Sequence, residues 1–221
     1  MTPSPQVVVL DYGFGNIRSA VRALEKVGAR PEVSADPDQA IKAQGLVIPG
    51  VGAFAACMEG INAVDGGHIV DARLIAGRPV LGICVGMQIM FQWGIEHGVD
   101  CPGLGQWPGS VTRLEAPVIP HMGWNTVTAP EDSILFAGVK DAHFYFVHSY
   151  AAREWVMSDT DPYQRHPQVT TCDYGGGFIA AVENGPLSAV QFHPEKSGPA
   201  GLQLLRNWVS TLGEPGAPRL P

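Results

Sequence analysis

The sequence predicts an α/β fold with a mostly parallel central sheet that is flanked by helices. Short apolar runs alternate with helix-like stretches through the first half of the 221 residues. These apolar runs lack polar alternation, which is typical of strands that are buried on both faces. In the second half, five strand-like runs are separated by Gly, Pro and Asn turns, which predicts an additional antiparallel or mixed β section.

Capping residues and turn residues place the elements of the first half. Asn16 can cap a helix from Ile17 to about Val27 that stops at Gly28, and Asp36 with Pro37 starts the next helix. Strands are predicted at residues 6–10, 30–33, 45–48 and 79–83, a helical region ends at Gly77, and a further helix spans residues 85–93. This order implies parallel strands that are joined by helical crossovers.

The second half is predicted to be richer in strands. The five runs are residues 109–115, 125–130, 143–153, 177–185 and 187–192. A polar stretch at 158–168 indicates an exposed loop, and a last helix runs from Ser197 to about Leu212. We expect residues 1–213 to form one domain and the Pro/Gly-rich residues 214–221 to be a loose tail.

Composition and charge exclude several classes of function. A net charge of −7 argues against a nucleic-acid binder, and there is no polybasic segment for a membrane surface. The N-terminus does not resemble a signal peptide, so we expect a cytoplasmic protein. No pair of the four cysteines has CxxC spacing, so neither a zinc site nor another cofactor is predicted. Three of them are expected to be structural: Cys57, Cys101 and Cys172.

The stretch LGICVGMQ, residues 81–88, has the pattern of a nucleophile on a sharp strand-to-helix turn. Cys84 lies between Gly82 and Gly86, and such a turn needs small residues two positions away on each side. A helix N-terminus would favour thiolate over thiol and would offer the free N–H of Val85 to an anion. On this stretch alone, a buried cysteine between packing glycines explains the pattern equally well.

The segment QFHPEKSG supplies a base for such a nucleophile. His193 follows a predicted strand, and in extended chain Glu195 would project to the same side and could hold the tautomer of the imidazole. Taken alone, His-Pro-Glu is more often a surface turn. Together with Cys84 it predicts a nucleophile, a base and an orienting carboxylate.

Further candidates surround these residues. The loop PGVGAF, residues 49–54, follows a parallel strand, and its Gly50 and Gly52 permit the close backbone approach that a second oxyanion donor requires. Gln88 lies at i+4 from Cys84 on the same helix face, and Glu96 could meet an ammonium group. An ordinary turn and solvated surface residues are the alternatives for these positions.

The segments GICVGMQ, QFHPEKS and PGVGAF together resemble the class I glutamine amidotransferases. Members of that family hydrolyse the side-chain amide of glutamine through a cysteine thioester and pass ammonia to a partner synthase. The resemblance implies that Cys84 is the nucleophile, His193 the base and acid, and Glu195 its partner. It further implies an oxyanion hole and a glutamine site. The backbones of Val51 and Val85 would form the hole, and glutamine would be held by Gly50, Gly52, Gln88, Glu96, Ser149 and Tyr150.

Three other segments narrow the resemblance within the family. DYGFGN, PHMGWN and YFVHSY are similar to the glutaminase subunits of imidazole glycerol phosphate synthases, which act in histidine biosynthesis. This implies a heterodimer with a cyclase subunit. Residues expected to lie toward the cyclase and the ammonia exit are Tyr12, Asn16, His121, Met122, Trp124, Tyr145 and Lys196.

Two features depart from the family pattern, and three alternatives stay open. The loop at 154–171 is longer than expected, and Val85 stands where leucine is commoner. The alternatives are a glutaminase of pyridoxal phosphate synthesis, against which PHMGWN argues, a cysteine hydrolase or peptidase on a similar turn, and an inactive binding subunit with the same fold.

Overall fold

The computed structural model describes residues 4–155 and 167–213. Strands and helices alternate through the first half of the chain. In order, they are β1 (Gln6–Leu10), α1 (Ile17–Lys26), β2 (Arg30–Ser34), α2 (Pro37–Lys42), β3 (Gly45–Gly50), α3 (Phe54–Ala63), α4 (Gly66–Ile75), β4 (Val80–Cys84) and α5 (Val85–Gln88).

Strands dominate the second half, and one long helix closes it. The elements are β5 (Phe91–Glu96), β6 (Val99–Pro102), β7 (Trp107–Arg113), β8 (His121–Asn125), β9 (Phe144–His148), β10 (Tyr150–Ala152), β11 (Gln168–Asp173), β12 (Gly177–Asn184), β13 (Leu187–Val190), a 3₁₀ turn (Pro194–Lys196) and α6 (Gly198–Ser210).

A seven-stranded sheet in the order β11-β12-β13-β4-β3-β1-β2 forms the centre of the fold. Its strands from β13 to β2 are parallel, whereas β11 and β12 pair antiparallel at one edge. Strands β1, β3 and β4 are almost completely buried, as expected for strands with helices on both faces. The predicted fold class, including the added antiparallel section, is confirmed. None of the helices within residues 4–155 and 167–213 is long and apolar enough to span a membrane.

The prediction of a helix at 85–93 was wrong beyond Gln88. The chain segment at 103–107 takes the carbonyl groups that a longer helix would need: Leu104 N–H donates to Ile89 and Trp107 N–H donates to Met90. Residues 91–96 therefore leave the helix and form β5, which pairs with β6 and β7 in a second sheet.

Other boundaries also differ from the sequence prediction. Of the run predicted at 125–130, only Asn125 belongs to a strand, as the last residue of β8. The residues after it make one isolated bridge, from Thr128 to Thr171. Strands β6 and β11 were not predicted, and β11 occupies the end of the segment expected to be a long loop at 154–171. The rest of that loop at 156–166 and the tail at 214–221 lie outside the described residues.

A buried arginine fixes the sheet edge opposite the candidate site. The guanidinium of Arg73, on α4, donates hydrogen bonds to the backbone carbonyls of Ala40 at 2.6 Å, Ala43 at 2.9 Å and Pro79 at 2.7 Å. Ala40 and Ala43 lie at the end of α2, just before β3, and Pro79 directly precedes β4, so Arg73 ties the starts of both strands together.

Candidate active site

Three neighbouring strands end at one point on the carboxyl edge of the main sheet. Gly50 at the end of β3 pairs with Cys84 at the end of β4. Val190 at the end of β13 pairs with Ile83 on the other side of β4. The segment that leaves β13 therefore runs beside the cysteine. Open α/β sheets bind their ligands at this edge.

Cys84 stands on a strained backbone turn. Its φ of 56° and ψ of −114° lie in a region that non-glycine residues rarely occupy. Neighbouring glycines let the chain pass itself: a Cβ on Gly82 would lie 2.6 Å from the Gly86 carbonyl oxygen, and one on Gly86 would lie 1.9 Å from the Ile48 carbonyl oxygen. Both glycines of the pattern are therefore required by close backbone approach, which favours the nucleophile interpretation over a simple packing role.

His193 and Glu195 form a buried pair next to this turn. His193 Nδ1 lies 2.8 Å from Glu195 Oε1, and their side chains are 3% and 2% exposed. The carboxylate accepts the Nδ1–H, so Nε2 is the ring nitrogen left for Cys84. Burial disfavours the charged imidazolium, but hydrogen bonding and charge interactions with Cys84 and Glu195 outweigh burial and raise the pKa of His193 to about 9. The His193 imidazole is therefore held in its protonated form at neutral pH, beside the Cys84 side chain.

The backbone of this pair differs from the extended chain that the sequence suggested. Residues 194–196 form a 3₁₀ turn, and the imidazole meets the carboxylate across it. His193 N–H donates to the Tyr145 carbonyl at 2.9 Å, and the Ser197 hydroxyl donates to the His193 carbonyl at 2.7 Å. These bonds fix the base against β9. Asn16 makes no cap at the start of α1; its Nδ2 lies 3.4 Å from Glu195 Oε1 instead.

The loop after β3 lies against the cysteine turn. A Cβ on Gly50 would lie 2.3 Å from the Gly86 nitrogen, and Gly52 adopts a φ of +91°. Val85 is the first residue of α5, so its N–H has no partner within the helix. Two side chains fix carbonyl groups in the segment at 49–51. The Tyr12 hydroxyl donates to the Pro49 carbonyl at 2.6 Å, and the Cys57 thiol donates to the Val51 carbonyl at 3.4 Å.

The residues expected to hold a substrate surround the cysteine through different contacts. Gln88 Nε2 donates to the Tyr150 carbonyl at 2.8 Å, which joins α5 to β10. The Ser149 carbonyl accepts from Leu114 N–H at 2.9 Å. Glu96 lies at the end of β5, and its Oε2 accepts the Phe54 N–H at 3.1 Å, which brings the carboxylate to the loop after β3.

The residues expected to face a partner divide into exposed and buried groups. Met122 and Trp124 are 61% and 55% exposed and alternate along β8, so both point to the same side. The Trp124 ring lies 5.9 Å from the Tyr145 ring, and Lys196 Nζ lies 5.9 Å above the same tyrosine. We call these four residues the hairpin patch. Asn16 is half-buried.

Tyr12 and His121 do not belong to that surface. They are 4% and 3% exposed, so their side chains pack in the interior of the chain, and their placement toward the cyclase and the ammonia exit stays a prediction. Tyr12 anchors Pro49 as described, and the ring of His121 stacks between those of Phe146 and Tyr174, with centroids 4.7 and 4.0 Å away.

Sequence reasoning missed two residues of the site. Gln191 is 1% exposed, and its amide lies between Gln88 and Cys84. Its position two residues before His193 on the chain leaving β13 could have indicated this, since such residues share a side. His148 is buried and links two parts of the site: its Nδ1 lies 2.9 Å from the Tyr150 carbonyl and its Nε2 lies 3.1 Å from His121 Nδ1.

The pair His121 and His148 should make the protein sensitive to acid. Burial lowers the pKa of His121 to about 4 and that of His148 to about 3, so both are neutral in the folded chain. An unfolded histidine titrates near 6.5. The stability due to each neutral ring is therefore present above pH 6.5 and is lost as the pH falls toward about 4. Protonation of His148, the more deeply buried of the two, should lower the free energy of unfolding by about 2 kcal/mol between pH 7.5 and 4.5.

We expect His148→Gln, which keeps a side-chain donor but cannot titrate, to reduce that loss by about 2 kcal/mol relative to wild type. Urea unfolding at the two pH values measures it. His68→Gln, at an exposed position on α4, is the control and should keep the wild-type pH dependence. Equal pH dependence in His148→Gln and wild type would contradict the argument.

The chain matches the family model described as "Glutamine amidotransferase class-I" over residues 8–212. The chain belongs to the class-I glutamine amidotransferases. The predicted resemblance to that family is thereby confirmed.

Two solved structures share the fold of this amidotransferase. One, titled as a glutamine amidotransferase, aligns with a TM-score of 0.70 at 18% identity over 93% of this chain and 99% of the other. The other is PurLQS from Thermotoga maritima, with a TM-score of 0.69 at 21% identity over 95% and 100%.

Relatives of much higher identity share one description. The imidazole glycerol phosphate synthase subunit HisH of Thermobifida fusca is 61% identical to this amidotransferase over 94% of this chain and 99% of the relative. The protein of the same description from Streptomyces coelicolor is 62% identical over 94% of each. The one from Nocardia farcinica is 61% identical over 93% and 98%. In each of these three comparisons the alignment covers nearly the full length of both chains.

Proposed function

We propose that this chain is the glutaminase subunit of imidazole glycerol phosphate synthase, and that it forms a heterodimer with a cyclase subunit. The observation that carries the proposal is about 60% identity, over nearly the full length of both chains, with proteins of that description. The arrangement of Cys84, His193 and Glu195 at the sheet edge supports the chemistry. We further propose that residues 1–213 form one domain and that the subunit works in the cytoplasm, where thiols stay reduced.

Hydrolysis of glutamine follows from the positions of these side chains. The Cys84 thiolate attacks the carbon of the side-chain amide, and the backbone N–H groups of Val51 and Val85 receive the oxyanion. His193, held by Glu195, gives its proton to the departing nitrogen, so ammonia leaves and a thioester remains. The histidine then takes a proton from water, which attacks the thioester carbon. The C–S bond then breaks, the proton held by His193 passes to the Cys84 sulfur, and glutamate is released.

The substrate site is proposed to lie between the loop after β3 and α5. Both hydrogens of Gln88 Nε2 are taken by Tyr150 and Gln191, so its Oε1 is the atom that can accept from a substrate N–H. The Glu96 carboxylate next to the loop suits the α-ammonium group of glutamine. Backbone groups at Gly50, Gly52, Ser149 and Tyr150 complete the site.

The hairpin patch is proposed as part of the surface for the cyclase. Exposed apolar side chains on one side of a strand mark an interaction site, and tryptophan and methionine are enriched at interface centres. The patch is also close to the reaction, because Lys196 follows Glu195 directly in the chain and Tyr145 contacts His193 through its backbone. Ammonia released at His193 would thus leave toward the partner before it meets bulk water.

The proposal is tested with amide-¹⁵N glutamine and a purified cyclase subunit. We expect ¹⁵N in the cyclase product even when unlabelled ammonium is in excess, because the ammonia does not mix with solvent. Trp124→Ala should weaken binding of the cyclase at least tenfold, which calorimetry measures. The control is Ile75→Ala, an exposed apolar residue at the end of α4 that precedes β4, on the opposite edge of the sheet.

Three outcomes would overturn the proposal. Glutamine hydrolysis without transfer to this cyclase, but with transfer to a pyridoxal phosphate synthase, would assign the chain to that enzyme. Cleavage of peptides in place of glutamine would make it a peptidase on the same turn. Cyclase binding without hydrolysis would leave an inactive binding subunit.

A further inference from the structure

A buried amide group lies against the sulfur of Cys84. Gln191 follows β13, and its backbone N–H donates to the Ala180 carbonyl at 2.8 Å, so the residue is fixed in the sheet. The side chain is 1% exposed, and its Nε2 lies 3.8 Å from Cys84 Sγ, which is within reach of an N–H···S hydrogen bond. The thiol thus has a neighbour other than His193.

The orientation of this amide is determined by its neighbours. The Tyr150 carbonyl can only accept, so the atom of Gln88 that lies 2.8 Å from it must be the nitrogen. The second hydrogen of that nitrogen points to the Gln191 side chain at 3.0 Å, which must therefore present its oxygen. Once the oxygen of Gln191 faces Gln88, its NH₂ group must face the sulfur.

His148 strengthens this arrangement from the other side. Its Nδ1 lies 2.9 Å from the same Tyr150 carbonyl and donates to it, so that carbonyl accepts from two side chains. The acceptor is a backbone atom of β10, which pairs with β7. A fixed acceptor thus determines the orientation of Gln88 and, through Gln88, that of Gln191.

We propose that Gln191 is a positioning residue that directs an N–H donor at Cys84 and favours its thiolate form. A hydrogen bond to an ionised acceptor is stronger than one to the neutral form, so the donor stabilises the thiolate more than the thiol. It also restricts the rotation of the Cys84 side chain about its Cα–Cβ bond. The role in glutamine hydrolysis rests on the proposed function, whereas the effect on the thiol does not.

The test is the pH dependence of Cys84 alkylation by iodoacetamide in the absence of glutamine. Peptide mass spectrometry after digestion separates Cys84 from the other three cysteines. We expect Gln191→Met, of similar volume but without a donor, to shift the midpoint of the alkylation profile upward by about one pH unit and to slow alkylation about tenfold at pH values well below the wild-type midpoint. Gln191→Glu should shift it further, because a carboxylate oxygen then faces the sulfur.

Ser188→Ala, on the same strand β13, is the control and should keep the wild-type profile. Thermal unfolding of each variant shows whether it is folded. If both Gln191 variants fail to fold, Gln88→Met replaces them: it removes the group that orients Gln191 and should shift the midpoint in the same direction.

A purely structural role would slow alkylation equally at all pH values and leave the midpoint unchanged, and that result would overturn the proposal. Failure of the proposed function is recognised separately. Wild-type protein that does not hydrolyse glutamine, while Gln191→Met still shifts the alkylation profile, would remove the glutaminase assignment and keep the role of Gln191. If wild type hydrolyses glutamine but Gln191→Met shows no shift of the midpoint, the glutaminase assignment is kept and the role of Gln191 is removed.

Discussion

Replacing Cys84 by alanine should abolish glutamine hydrolysis and leave the fold intact. Within residues 4–155 and 167–213, the other thiol near this edge is Cys57, which is fully buried and donates to the Val51 carbonyl. The rate of glutamate release should therefore fall by at least ~10⁴-fold, the scale seen when a nucleophile is removed. The free energy of unfolding should change by less than about 1.5 kcal/mol, because the cavity left by one sulfur is small. Coupled glutamate detection and urea unfolding measure the two quantities.

The control for this prediction is Cys101→Ala, because Cys101 lies on β6 in the second sheet. That variant should keep full activity. Binding of the cyclase to Cys84→Ala should match wild type, and an electrophilic glutamine analogue should label wild type only. Glutamate release by Cys84→Ala above a hundredth of the wild-type rate would refute the assignment of the nucleophile.

Replacing Gly86 by alanine should destabilise the protein by about 3 kcal/mol or more. The added Cβ would lie 1.9 Å from the Ile48 carbonyl oxygen, and backbone on both sides cannot move without separating α5 from β3. The same movement would displace Cys84 from His193, so the folded fraction should also lose most of its glutaminase activity. Urea unfolding and activity per folded molecule are the measurements.

Gly67→Ala provides the matched control in the opposite direction. Gly67 lies in the first turn of α4, where a Cβ would meet only Leu104 Cδ2, at an ordinary 3.7 Å. Alanine is the better helix former, so this variant should gain about 0.5–1 kcal/mol. A gain in stability that is equal in the two variants would show that helix propensity, and not close approach to β3, decides the result.

Local patterns predicted most strands of the main sheet, with β11 as the exception, and indicated the candidate site. Continuous apolar runs gave β1, β3 and β4, because strands buried on both faces have no polar positions to confuse the pattern. Asp36 accepts hydrogen bonds from the N–H groups of Asp38 and Gln39, as its position before Pro37 predicted. The glycines around Cys84 and the spacing of His193 and Glu195 were enough to indicate the candidate site from two short segments.

The remainder depended on contacts between distant segments, which local patterns do not contain. The helix after Cys84 ends at Gln88 because residues 103–107 bind its next carbonyls. Asparagine is a favoured residue type for a helix cap, but the side-chain amide of Asn16 donates to the Glu195 carboxylate instead. Gln191 was missed because glutamine has no reactive chemistry, and its role appears only when Gln88 and Cys84 are placed beside it.

The position of β13 between β12 and β4 has a consequence for the newly made protein. Cys84 is synthesised before residues 187–190, which form β13. The side of β4 that pairs with β13 therefore stays unpaired until these residues, and His193 after them, have left the ribosome. A nascent or prematurely terminated polypeptide therefore holds a thiol without its base. Glutamine hydrolysis should therefore require a chain whose synthesis has passed residue 195.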